Sequence, residues 1–256
     1  MLSCFHSLRA LSRKNEGDPV CPDGKKHGYG IIQNMTEVKD DETLDEIGGV
    51  RIIQKKKGYR FSADSLLLAD FPDLTGVTKA VDLGTGSGVI AISLAKRSQE
   101  LYVVGIELQD TLFDLAVRNV DLSSLSDRVE IIKGDLKDIK ERFEAGSFDL
   151  VVCNPPYYPL GKGRTGPNLE RTVARHEVAV TLTDIIEASE YLLRDGGRVA
   201  VVFPANRYSD VISEMRRVKI GPMRVKEVHT KVVEVVLVEG KKGYAGELLL
   251  EPPFCL

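Results

Sequence analysis

Asn154-Pro155-Pro156-Tyr157-Tyr158 is the stretch of this sequence best equipped for chemistry. It follows Phe148-Asp149-Leu150-Val151-Val152-Cys153, an apolar, β-branched run that reads as a strand buried on both faces. The two prolines end that strand and forbid an immediate helix. A residue before proline is pushed to extended geometry, so an amide, a carbonyl and an aromatic ring leave the strand on a stiff platform. Such a platform suits a planar amine: the Asn154 side-chain oxygen and the Pro155 carbonyl accept its two hydrogens, and Tyr157 stacks on its plane. Two acceptors draw the nitrogen toward tetrahedral geometry and free its lone pair for in-line attack on an electrophilic carbon. The plain alternative is a strand-to-loop exit with a Pro-Pro stop.

A second cluster lies upstream. Ala80-Val81-Asp82-Leu83-Gly84-Thr85-Gly86-Ser87-Gly88 is a strand running into a glycine-rich turn that opens a helix. A carboxylate at Asp82 would repel a dinucleotide pyrophosphate but attract a ligand bearing an ammonium and a sulfonium, which points to S-adenosylmethionine rather than NAD. Glu107 closes the next strand, about 20 residues on, where a carboxylate can accept from both ribose hydroxyls. Gly134-Asp135-Leu136 follows the third strand and places Asp135 near an adenine amine. Singly, Glu107 and Asp135 read equally well as loop acids. Together with Asp82, Gly84 and Gly86 they mark successive strand ends of one sheet, the edge where open α/β sheets bind ligands.

The elements that must position these groups follow from periodicity. Strand-like runs at Ala80–Leu83, Tyr102–Ile106, Val129–Ile132, Leu150–Cys153 and Arg198–Phe203 alternate with helix-like runs at Val89–Arg97, Gln109–Asp121 and Thr183–Leu193. That alternation predicts a parallel sheet covered by helices on both faces. After a helix at Arg207–Val218, Val225–His229 and Val232–Val238 are too close for a crossover and should pair antiparallel. The expected fold is α/β and Rossmann-like: a seven-stranded, mostly parallel sheet with an antiparallel C-terminal hairpin, spanning 77–256. Ahead of it, 41–76 should form a small lid-like appendage. Its hairpin is expected over Ile47 to Phe61 around Gly49 and the Lys55–Gly58 turn, and its short helix over Ala63 to Ala69 has Ser62 as N-cap and Leu66, Leu67 and Leu68 as packing face. Asp64 in that helix reads as a favourable first-turn charge. Residues 1–40 read as an unstructured leader, with Met35 a candidate initiator.

Composition bounds the partners. A chain of 256 residues, 43% hydrophobic with net charge −3, has no global basic field, so any nucleic-acid contact must be local. Local basic groups do follow the platform: Lys162, Arg164, Arg171 and Arg175 form either a solvated loop or a flap that grips phosphate, with Tyr158 at its root. His176 and Glu177 at its end read as a loop anchor rather than an acid-base pair. Four scattered cysteines give neither a zinc site nor a disulfide framework, and Cys153 reads as a packing thiol. No metal is expected. Nor does any run reach the roughly 18 apolar residues of a membrane span, and a reducing cytoplasm fits.

With these residues in hand, the chain resembles the small-domain methyltransferases of the tRNA adenine-N6 type, whose known members modify an adenosine beside the anticodon of a valine tRNA. The resemblance covers roughly Leu44 to Pro253 and rests on Gly58-Tyr59-Arg60-Phe61-Ser62-Ala63-Asp64, Asp82 to Gly88, Asn154 to Tyr158 and Arg175-His176-Glu177. It implies cofactor contacts at Asp82, Gly84, Glu107 and Asp135, amine recognition at Asn154, Pro155 and Tyr157, and an RNA partner. Two features depart from the pattern: the leader has no counterpart, and the chain stops soon after Pro252-Pro253. A rival reading with the same platform is methylation of a release-factor glutamine. That family usually carries a helical domain ahead of its sheet, which 1–78 is too polar to supply. A non-catalytic scaffold that binds cofactor or RNA is the reading from another class, and the intact Asn154 and Asp82 speak against it.

Overall fold

The computed structural model describes residues 37–58, 60–155, 180–229 and 234–255. Five runs dense in Val, Ile, Leu and Ala form parallel strands: β3 (Lys79–Leu83), β4 (Tyr102–Glu107), β5 (Val129–Lys133), β6 (Phe148–Cys153) and β7 (Leu193–Pro204). They lie in the order β5-β4-β3-β6-β7, so the chain reverses direction across the sheet between β3 and β6. Next come β8 (Ile220–His229) and β9 (Glu234–Lys242). β9 inserts between β7 and β8, antiparallel to both. Two further strands of two residues each, β10 (Leu249–Leu250) and β11 (Phe254–Cys255), run parallel along the outer side of β8 and extend the expected seven strands to nine.

Side chains alternate across a strand, and each face feeds its own core. Ala80, Val103, Leu150, Val152, Ala200 and Val202 pack with helix α2 (Val89–Arg97). The alternate positions, including Val81, Leu83, Ile106, Val151, Cys153 and Val201, pack with α5 (Leu182–Leu192) and α6 (Tyr208–Arg217). Between these lie α3 (Asp110–Leu122), on the α2 side of the sheet, and a one-turn α4 (Ile139–Arg142) that periodicity did not reveal. β7 starts five residues before the expected Arg198, because Gly196 takes φ 73° and the β6–β7 register shifts between Phe148 and Leu150.

The N-terminal segment differs most from expectation. Its hairpin pairs β1 (Glu42–Ile47) with β2 (Val50–Lys55), and the turn falls at Gly48-Gly49 rather than at Lys55–Gly58. Both glycines have positive φ, 59° and 75°, which suits the two-residue turn that matches strand twist. Most of the acidic stretch is therefore a strand, and Glu42 and Asp45 in it are ion-paired. Buried Glu42 accepts from both Arg118 guanidinium nitrogens at 2.9 and 2.8 Å, which holds its carboxyl down at about 2. Helix α1 (Ala63–Asp70) buries Ser65, Leu68 and Ala69, the i, i+3, i+4 face, while Leu66 and Leu67 are only half-buried. Three consecutive leucines cannot share one helical face. Ser62 stands at the N-cap with extended backbone, yet its hydroxyl donates to Asp64 Oδ2 at 3.1 Å instead of capping the helix. β2 and α1 join the α2 core through Val50, Ile52, Leu68 and Ala69, so this segment is part of the packed layer.

Candidate active site

Asp82, at the end of β3, is fully enclosed. Its Oδ2 accepts from the Thr85 hydroxyl at 2.6 Å, and its Oδ1 is buried without a hydrogen-bond partner. Burial pushes its pKa up to about 7, the Thr85 hydroxyl and the Ala91 backbone N–H opposing the rise and the Glu107 charge adding to it. The carboxylate thus lies beneath the glycine loop rather than open beside it. Gly84 and Thr85 both donate backbone N–H to the Ile106 carbonyl at 2.9 Å, and Gly84, Gly86 and Gly88 all take positive φ. A side chain on Gly84 would meet nothing within 4 Å, so the loop has open space above it.

Glu107, at the end of β4, is 5% exposed, and burial raises its pKa. Its Oε2 accepts from Gly86 N–H and its Oε1 from Gln109 N–H, both at 2.9 Å. The sequence suggested a carboxylate turned to ribose; here it also braces the loop, and each oxygen retains a second lone pair. Asp135 is half-buried after β5 and accepts Lys137 N–H at 2.9 Å, capping the turn Leu136–Asp138. Leu136 packs against the α5 face. Gly134 N–H donates to the Glu107 carbonyl at 3.0 Å and ties this loop to its neighbour. Asp82, Gly84, Gly86, Glu107 and Asp135 therefore gather at the C-terminal edge of three adjacent strands.

β6 flanks β3 on its other side, with Leu83 opposite Cys153, so Gly84 and Asn154 leave neighbouring strands at one level. Paired strands lie about 4.8 Å apart. Because Val152 faces the α2 layer, the two-residue period turns Asn154 to that same layer, where α1 sits. There its Nδ2 donates to Ser65 Oγ at 2.8 Å. Pro155 is buried. Cys153 is buried and donates to the Leu83 carbonyl at 3.2 Å; burial raises its thiol well above the ordinary value, as a packing role requires. Pro156, Tyr157, Tyr158, Lys162, Arg164, Arg171, Arg175, His176 and Glu177 lie outside the described residues.

Three supporting residues escaped the sequence reading: Ser65, Thr85 and Asn119. Asn119 is fully buried in α3; its Oδ1 accepts Ile53 N–H at 2.7 Å, and its Nδ2 donates to the carbonyls of Ile53 at 3.0 Å and Ser87 at 2.8 Å. One amide thereby joins the hairpin, the glycine loop and α3. Its signal was a polar residue in the apolar stripe of Leu112, Leu115, Ala116 and Val120. Cavities of about 380 and 530 Å³ open at the opposite edge of the sheet, around Asp149, Arg194 and Lys241, away from Asp82 and Asn154. Among the described residues no cluster of three or more His, Cys, Asp or Glu could hold a metal ion, and no helix is long and apolar enough to cross a membrane.

Strand order, the inserted antiparallel strand and the loop at the first β–α turn define the class I methyltransferase fold. Solved structures of that fold superpose well: an O-methyltransferase, so predicted, from Agrobacterium tumefaciens gives a TM-score of 0.59 at 19% identity over 75% of this chain and 86% of that one. TYW2 from M. jannaschii, in complex with AdoMet, gives 0.55 at 18% identity over 79% and 86%. The chain belongs to the methyltransferase small domain family, whose profile matches residues 60–229. Curated relatives named tRNA1(Val) (adenine(37)-N6)-methyltransferase come from Tolumonas auensis, 29% identical over 63% of this chain, and Porphyromonas gingivalis, 35% identical over 59%. The chain spans 66% and 59% of the length of those two relatives.

Proposed function

We propose that the protein transfers a methyl group from S-adenosylmethionine to the exocyclic N6 amine of an adenine in RNA, with tRNA as the substrate class. The observation that carries this reading is the register of β3 against β6, which sets the Asn154 amide beside the glycine loop. The name shared by the curated relatives supports the same substrate. The site fits the cofactor: a buried carboxylate oxygen without a partner underlies a loop with open space above it, and a second carboxylate stands at the next strand end. Asp82 would supply negative potential under the ammonium and sulfonium, Gly84 and Gly86 would allow close approach, Glu107 would accept from the ribose, and Asp135 with Leu136 would take the adenine edge.

Bound S-adenosylmethionine supplies an electrophilic methyl group. The protein orients the acceptor. Asn154 Oδ1 and the Pro155 carbonyl accept the two amine hydrogens and free the lone pair, and Tyr157 stacks on the base. No strong base is required, because a methylated ammonium loses its proton readily. Stacking is worth about 1–3 kcal/mol and extruding a base costs a few, which favours an unpaired base in an RNA loop. Tyr158, Lys162, Arg164, Arg171 and Arg175 would grip the adjoining phosphates. A cytoplasmic location goes with this reading.

The test is incubation with methyl-labelled S-adenosylmethionine and, separately, tRNA, ribosomal RNA, DNA and a release factor, followed by digestion. N6-methyladenosine from tRNA is the expected product. Label in N5-methylglutamine would replace this reading by the protein-directed one, and cofactor binding without transfer to any of them would leave a scaffold.

A further inference from the structure

We propose that Ser65 is a positioning residue that holds the Asn154 side-chain amide with Oδ1 toward the substrate amine. The inference rests on the reading of Asn154 as an acceptor for that amine. A primary amide has one acceptor end and one donor end of nearly equal shape, so an unrestrained Asn presents either. Presented as a donor, it would oppose an amine that is itself a donor. Nδ2 donates to Ser65 Oγ at 2.8 Å, which occupies the donor end and leaves Oδ1 for the substrate.

Ser65 is well placed for this task. It is 1% exposed, on the same face of α1 as Leu68 and Ala69, which are locked into the α2 core. The chain entering α1 is braced in turn. Buried Gln54 accepts Phe61 N–H at 3.0 Å and donates to Asp45 at 2.7 Å, and Arg60 donates to Asp45 at 2.7 Å. Ser65 N–H is spent on the Ser62 carbonyl at 3.1 Å, so only the hydroxyl reaches the site. The hairpin and α1 thereby brace the Asn154 half of the amine clamp, although they are remote in sequence from the strand that bears it.

The experiment compares wild type, Ser65→Ala and Ser65→Thr in single-turnover methyl transfer, on whichever RNA or protein the wild type methylates, with cofactor affinity measured separately. Ser65→Ala should lower the rate constant about tenfold, the worth of one hydrogen bond, with KM and cofactor affinity within about twofold. Ser65→Thr, which keeps the hydroxyl, should recover most of the rate. An activity-independent reading comes from the Asn154 side-chain amide signals in ¹⁵N-labelled protein, assigned by their loss in Asn154→Ala. Their hydrogen exchange should be slowed in wild type and fast in Ser65→Ala. An unchanged rate constant or unchanged exchange in Ser65→Ala overturns the inference, as does a rate loss matched by equal loss of cofactor affinity. Transfer to glutamine instead of adenine would sink the adenine reading but leave this test standing, because both acceptors are planar NH2 groups with two hydrogens to donate.

Discussion

Asp82→Asn should stabilise the protein at neutral and alkaline pH while weakening cofactor binding. The Asp82 carboxyl titrates at about 7 in the fold against an ordinary 3.8, because burial disfavours its charge and Glu107 on β4 adds to the effect. Thr85 opposes the rise through its hydrogen bond, and the Cys153 thiol facing from β6 stays neutral. The unfolded chain sheds this proton near pH 4 and the folded chain near pH 7, so stability falls as pH rises through that window and levels off above it. A difference of about three units corresponds to roughly 4 kcal/mol. Asparagine carries no charge and escapes this penalty, but its NH2 would sit where Oδ1 finds no partner, at a fixed cost of about 1–3 kcal/mol. The gain from the substitution should therefore grow by about 3 kcal/mol between pH 4.5 and pH 8, read from urea unfolding of both proteins at each pH. Cofactor affinity at pH 8 should fall, since the negative potential under the loop is gone. A stability difference that stays flat with pH would refute the reasoning.

The other outcomes follow from neighbouring geometry. Asn154→Ala should cut methyl transfer by about 10²-fold or more, the scale of a lost transition-state contact, with cofactor affinity from titration calorimetry nearly unchanged. Asn119→Ala strands Ile53 N–H, the Ile53 carbonyl and the Ser87 carbonyl, and should cost about 3 kcal/mol in urea unfolding, with faster hydrogen exchange at Ile53. Glu42, held at about 2 against an ordinary 4.5, contributes stability that is full above pH 4.5 and lost as pH falls toward 2. Glu42→Gln should therefore lower the unfolding free energy by about 3 kcal/mol at pH 7 and by much less at pH 2.5.

Most of the sheet could be read in the sequence because buried parallel strands are near-continuous apolar runs, bounded by glycine turns, charged helix starts or, after β6, by Pro155-Pro156. The inserted β9 was legible as an antiparallel partner of β8 because only four residues, 230–233, separate them. The N-terminal hairpin was misplaced by one turn. Alternation around Lys55–Gly58 looked like a reversal, and the acidic stretch ahead of it gave no sign of a strand because the partner of Glu42, Arg118, is distant in the chain. The carboxylates at the strand ends were found from spacing alone. Their hydrogen bonds with Thr85, Gly86 and Gln109 depend on how the loop folds back on β4, which spacing does not encode. Ser65 and Asn119 could be noticed as polar breaks in apolar stripes, but their partners lie on other elements and are visible only once those elements pack.

The inserted position of β9 bears on the order in which the sheet can be completed during synthesis. β8 emerges from the ribosome before the strand that must separate it from β7, so Val225 and Val228 have no lateral neighbour until Glu234–Lys242 follow. Until β9 enters, the five parallel strands and β8 lack the strand that joins them, and β8 can close the sheet only in the wrong place. Insertion of Glu234–Lys242 is thus the step at which this half of the sheet becomes committed, and a chain that has not yet made it should be open to proteolysis there.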